Sequence, residues 1–125
     1  MDFTEIRRRL VRWAYQMPFC SQKMTTKLLP ESQQQIQTMA AKLASTGLTH
    51  ARMDGHTDNY GEDSYNEGLS LKRANVVADA WAMGGQIPRS NLTTQGLGKK
   101  YPIASNKTAQ GRAENRRVAV VITTP

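Results

Sequence analysis

The sequence predicts an α+β domain in which helices cover one side of a small mixed sheet. Three observations carry this prediction. Two amphipathic helical stretches flank a short alternating strand, a β-branched run occupies the last residues, and Gly- and Pro-rich turns separate the elements. At 125 residues the chain is most simply one domain with one core.

The elements follow in order. Residues 1–27 form an atypical N-terminal segment and 28–125 the body of the domain. Helix propensity is fair over 5–15, but Arg7, Arg8, Arg9 and Arg12 spoil a clear apolar face. The segment reads as a poorly specified, frayed extension, or else as a basic amphipathic helix for a membrane surface or partner. Pro30, Glu31 and Ser32 then open a helix whose apolar residues Ile36, Met39, Ala40 and Leu43 recur at i, i+3, i+4 and i+7. Gly47 closes it.

Residues 48–54 alternate as a short strand, with Leu48, His50, Arg52 and Asp54 set against Thr49, Ala51 and Met53. A polar loop from Gly55 to about Ser64 leads to a second helix over 65–84. Leu69, Val76, Val77, Ala80 and Met83 make its buried stripe, and Gly84 with Gly85 stops it. A strand is expected over 91–96, a long loop through Gly98, Pro102 and Asn106, and a helical turn over 109–115. The strand over 117–123 places Val118, Val120 and Ile122 on one face and Arg117, Ala119 and Val121 on the other. Trp81 reads as core packing.

Composition narrows the function. Hydrophobic content is 38% and mean hydropathy −0.59, and no apolar run approaches the ~20 residues that cross a bilayer. The nearest candidate, residues 10–20, is interrupted by Arg12, Gln16 and Pro18. Met17, Pro18 and Phe19 before Cys20 are not the small residues of a lipidated-cysteine signal, so neither signal peptide nor lipobox is read. A single cysteine gives no internal disulfide and no CxxC metal spacing. The net charge of +7 divides unevenly: six Lys/Arg against Asp2 and Glu5 in 1–27, eleven against eight afterwards. Basic residues are scattered and aromatics few, a pattern that argues against a nucleic-acid partner.

The chemistry concentrates between residues 54 and 73. Asp58 falls in the loop, while Asn66, Ser70 and Arg73 share one face of the second helix. Folding the loop back brings the Asp58 carboxylate towards the Arg73 guanidinium, with the Asn66 amide between them. The pair reads either as a salt bridge stapling loop to helix or as a clasp for a zwitterion. In the clasp, carboxylate takes ammonium and guanidinium takes carboxylate.

Other patterns are weaker. His50, Asp54, His56 and Asp58 alternate at a spacing that could hold a divalent ion, but a third strong ligand is missing. His56 reads better as a structural residue orienting the loop, and neither metal nor cofactor is expected. Asp58 with Glu62 could form a carboxylate pair for glycan hydrolysis. A loop this rich in acid is more often a solvated turn, and Cys20 has no partnered His, so no enzyme is read. The GLGK run at 96–99 lacks the phosphate-loop spacing. Arg112, Arg116 and Arg117 form a basic patch that could touch an anionic polymer.

Several motifs in order resemble one family. GHTD at 55–58, Asn66, LSLKRA at 69–74, GLG at 96–98 and NKTAQGRAENRRV at 106–118 look like the OmpA-like C-terminal domain. The wording of residues 28–125 is most similar to the YfiB-type outer-membrane lipoproteins within it. The resemblance implies a β/α/β/α/β-β sandwich, its first strand unsettled here. It also implies a non-catalytic periplasmic module, associated with the outer membrane, that binds peptidoglycan through the diaminopimelate of the stem peptide. Asp58 then matches the family's ammonium-binding aspartate and Arg73 its carboxylate-binding arginine. Asn66 matches a hydrogen-bonding asparagine and Arg116 a supporting basic residue, with Tyr60 at a variable position of the ligand-side loop. A YfiB-type likeness implies a second partner, a periplasmic regulator. Before residue 28 the pattern departs from the family, although Phe19 could stand in for the first strand's aromatic and Ser21 or Gln22 for a polar ligand.

Overall fold

The computed structural model describes the backbone of residues 14–18 and all of residues 28 and 30–123. Strand β1 (Ala14–Pro18) is followed by helix α1 (Pro30–Ser45), strand β2 (Ala51–His56) and helix α2 (Asp63–Gly85). A 3-10 turn (Arg89–Asn91), strand β3 (Leu92–Gly96), helix α3 (Ala109–Asn115) and strand β4 (Arg117–Ile122) complete the order. The strands make one mixed sheet in the order β1-β4-β2-β3. β4 runs antiparallel to both β1 and β2, whereas β2 and β3 are parallel and joined by α2. This is the expected α+β class.

α1 buries Ile36, Ala40 and Leu43 against α2 and one face of the sheet. Its end is a Schellman motif: Gly47 adopts φ +88, its N–H reaches Ala44 O, and Leu48 N–H reaches Leu43 O. Leu43 and Leu48 both enter the core, so the apolar contact that accompanies this cap also seals the core edge. Leu48 is therefore committed to the cap, and the strand runs over 51–56 rather than 48–54. Gly55 and His56, expected in the loop, sit in the ladder opposite Val118 and Arg117 of β4.

α2 is held close to its neighbours by glycines. Gly55 and Gly96 are paired across β2 and β3, and a Cβ on either would collide with the α2 backbone around Glu67 and Ser70. At its other end Gly84 lies against the α1 backbone at Gln37, where a Cβ would again collide. Gly84 thus serves helix packing inside α2 instead of stopping it, and Gly85 is the last helical residue. The stop falls at Gln86, in the left-handed region at φ 51, where Gln86 N–H reaches Met83 O and Ile87 N–H reaches Ala82 O. The buried stripe also shifts: Ala74, Ala78 and Trp81 join Leu69, Val77 and Ala80, while Met83 is exposed. Trp81 is core, as expected.

The N-terminal segment differs most from its sequence reading. Residues 14–18 are neither frayed nor helical but form β1, paired with 117–121 of β4. β4 offers an open edge of backbone donors and acceptors, and pairing satisfies them whatever the local helix propensity. Phe19, Cys20, Ser21 and Gln22 lie outside the described residues, as does the helix expected before residue 14. Among the described residues no helix is long and apolar enough to cross a membrane.

Candidate functional site

The end of β2 delivers the GHTD sequence to the rim of the sheet. Thr57 N–H bonds to Gly98 O, and Gly98 N–H bonds to the Ser70 hydroxyl, tying the β2–α2 and β3–α3 loops to α2. Asp58 then turns inwards and is 4% exposed. Its Oδ1 accepts the Tyr60 N–H at 3.0 Å, an Asx-type turn. Its Oδ2 accepts Arg116 Nη1 at 2.6 Å, in an ion pair buried on both sides.

Arg116 is fixed from the other end of the chain. Thr108 Oγ1 caps α3 by accepting Gly111 N–H. The buried Asn115 holds the preceding loop, accepting Ile103 and Ala104 N–H at Oδ1 and donating to Ala104 O and Asn106 Oδ1. Arg116, one residue further, is thereby aimed at Asp58.

Asn66, Ser70 and Arg73 present the sheet-facing side of α2 and are all buried. The glycine pair beneath them sets how deeply that face can sink. Asn66 Nδ2 donates to Tyr60 O at 2.9 Å and more weakly to Gly61 O, clamping the loop. Asp58, Asn66, Arg73 and Arg116 line one cleft with Thr57, Tyr60 and Leu69. It holds about 190 Å³ outside atoms, its open mouth included.

All four sequence-predicted residues therefore meet, but not in the arrangement foreseen. The direct partner of Asp58 is Arg116, and the Asn66 amide supports the loop instead of bridging Asp58 and Arg73. Thr57 and the apolar Leu69 wall were not anticipated as cleft residues. Thr57 stood within the GHTD motif, but nothing in the spacing of Leu69 separates a cleft wall from core.

The remaining candidates disperse. Arg117 donates to Tyr101 O and Asn115 O on the other side of the sheet, and burial lowers its pKa. Arg112 Nη1 bonds to Asn106 O, so the three arginines do not form one patch. Glu62 is an exposed residue at the start of α2 while Asp58 is buried, which separates that carboxylate pair. Among the described residues no group of three or more His, Cys, Asp and Glu could hold a metal ion.

His56 is a buried strand residue, not a loop residue. Its ring meets Tyr101 edge-on at 6.4 Å, and its buried Nδ1 has no hydrogen-bond partner among the described residues. Burial and the facing Arg117 guanidinium lower its pKa to about 4, against a smaller opposing pull from Asp54.

Fold and cleft together define an α+β domain with a small polar cleft, and the chain belongs to the OmpA family, whose match spans residues 22–116. Over 96 residues the chain is 42% identical to the outer-membrane lipoprotein YfiB of Pseudomonas aeruginosa, covering 77% of this chain and 56% of that protein. It is 39% identical over 95 residues to the peptidoglycan-binding protein ArfA of Mycobacterium tuberculosis, covering 76% and 29%. The crystal structure of the peptidoglycan-associated lipoprotein from Burkholderia pseudomallei superposes with a TM-score of 0.73 at 27% identity, over 88% of this chain and 89% of that one. The chain thus spans about half or less of the length of these curated relatives.

Proposed function

We propose that this domain binds peptidoglycan non-covalently by gripping the free amino-acid head of diaminopimelate in the stem peptide. The supporting observation is the convergence of Asp58, Arg73 and Arg116, all buried, on one small cleft. The ligand ammonium sits against the Asp58 carboxylate, which Arg116 and the Tyr60 N–H hold in place. The ligand carboxylate sits against Arg73, where water-poor surroundings strengthen a charge-assisted bond. Leu69 faces the methylene chain. Two lines of likeness agree: a relative named for peptidoglycan binding and a solved peptidoglycan-associated lipoprotein of the same fold. In this reading the domain works in the periplasm and links the outer membrane to the cell wall.

The test is co-sedimentation with purified peptidoglycan, with soluble diaminopimelate as competitor. Removing one partner of a buried ion pair costs roughly 3–5 kcal/mol, so Asp58→Ala endangers the fold; Asp58→Asn, which loses the charge but keeps an acceptor for Arg116 Nη1, and Arg73→Lys are the milder variants. Each is expected to weaken retention by about tenfold or more while its melting curve stays cooperative. Folded variants that sediment like the wild type would refute the proposal.

A second reading comes from the likeness to the YfiB lipoprotein: docking of a periplasmic regulator protein. Such binding would use surface outside the cleft and would survive Asp58→Asn.

A further inference from the structure

We infer that Tyr60 and Tyr65 form an aromatic platform at the mouth of the cleft that holds the stem peptide carrying the diaminopimelate. The inference rests on the cleft reading above and extends it from the head group to the chain attached to it. Of the cleft-lining residues, Thr57, Asp58, Asn66, Leu69, Arg73 and Arg116 are buried, whereas Tyr60 is 54% exposed. Among the described residues, then, the cleft opens on its Tyr60 side.

The backbone beside that opening is pinned. Tyr60 N–H is held by Asp58 and Tyr60 O by Asn66. Gly61, at φ +92, turns the chain over the Asn66 amide and the Tyr65 ring, both at van der Waals distance from where its Cβ would stand. Lys99 Nζ donates to Gly61 O at 2.9 Å and pairs with Asp63 at 3.2 Å, holding the turn from the opposite loop. Tyr65, on the first turn of α2, is 48% exposed. Two large aromatic rings with much of their surface in water thus flank a rigid turn. Tyrosine loses little entropy on binding, and a fixed backbone lowers that cost further.

A zwitterionic head seated in the cleft leaves by this mouth, first as methylene groups and then as peptide. An extended peptide advances ~3.3–3.6 Å per residue, so the peptide crosses the rings before any sugar is reached. Methylene and amide planes suit the faces of the two rings. The occupant is therefore the peptide portion of the polymer and not its glycan.

Calorimetry with the full chain tests this, using free diaminopimelate, a sugar-free stem peptide containing it, and the same peptide carrying its disaccharide. The wild type is expected to bind both peptide forms about tenfold more tightly than free diaminopimelate, the order two aromatic contacts supply. Tyr65→Ala should reduce that ratio several-fold with free diaminopimelate binding unchanged. The Tyr60→Ala/Tyr65→Ala pair should bring the ratio near one, and Phe at both positions should restore it. A ratio untouched by the alanine pair overturns the inference. So does a gain confined to the disaccharide form, which would assign the rings to sugar. Failure of the wild type to bind any of the three ligands overturns the cleft reading itself, and this inference with it.

Discussion

Between Asp54 and Arg117, the His56 imidazole sits where a second positive charge is poorly tolerated. Asp54 gives little relief, because Arg52 and Gln95 already donate to its carboxylate. The folded pKa of about 4 lies below the usual 6.5. Between those values the unfolded chain binds the proton and the folded chain does not, so protonation favours unfolding and stability rises with pH. The His56 contribution is present above pH 6.5, is lost as pH falls towards 4, and levels off below. At ~1.4 kcal/mol per pKa unit this amounts to a loss on the order of 2–3 kcal/mol between pH 7 and pH 4. Urea unfolding at a series of pH values measures it, and His56→Gln is expected to flatten the slope across this window. An unchanged slope in that variant would move the effect to other groups.

The decisive feature among the elements is the contact of α2 with the paired glycines of β2 and β3. It lets the helix approach the sheet so closely that Asn66, Ser70 and Arg73 become buried beside Asp58. Gly55→Ala would drive a methyl into the Ser70 carbonyl and lift the helix. Overpacking against backbone, which cannot rotate away, is expected to cost about 3 kcal/mol. Chemical denaturation gives the stability change, and peptidoglycan retention should drop in the same variant because Arg73 moves with the helix. Undisturbed stability would show that α2 has slack at this point.

For the whole molecule, the outcome turns on β1. Without it, β4 would present an open edge over the VAVVI run at 118–122, a β-branched segment with no charge in it. Deleting residues 1–18 is expected to produce a chain that aggregates, seen as large species in light scattering where the full chain shows none. A truncated chain that stays dispersed and melts at the full-length temperature would show that β1 adds nothing. The same sheet carries the site: β2 ends at the Asp58 loop and β4 begins just after Arg116, so the buried ion pair joins parts of the chain 58 residues apart.

The sequence by itself determined the α+β class, the position of most elements and four of the residues that line the cleft. These follow from helical periodicity, β-branched runs and turn glycines, signals that neighbouring residues carry together. Asp58, Asn66, Arg73 and Arg116 were all legible in motifs. The tertiary structure decided what depends on distant neighbours. It paired Asp58 with Arg116, because α3 and its Asn115 clamp aim that arginine. It kept Gly84 inside α2, against an α1 backbone that leaves no room for a Cβ there. It made a strand of residues 14–18, because the open edge of β4 satisfies their backbone groups whatever their local propensity.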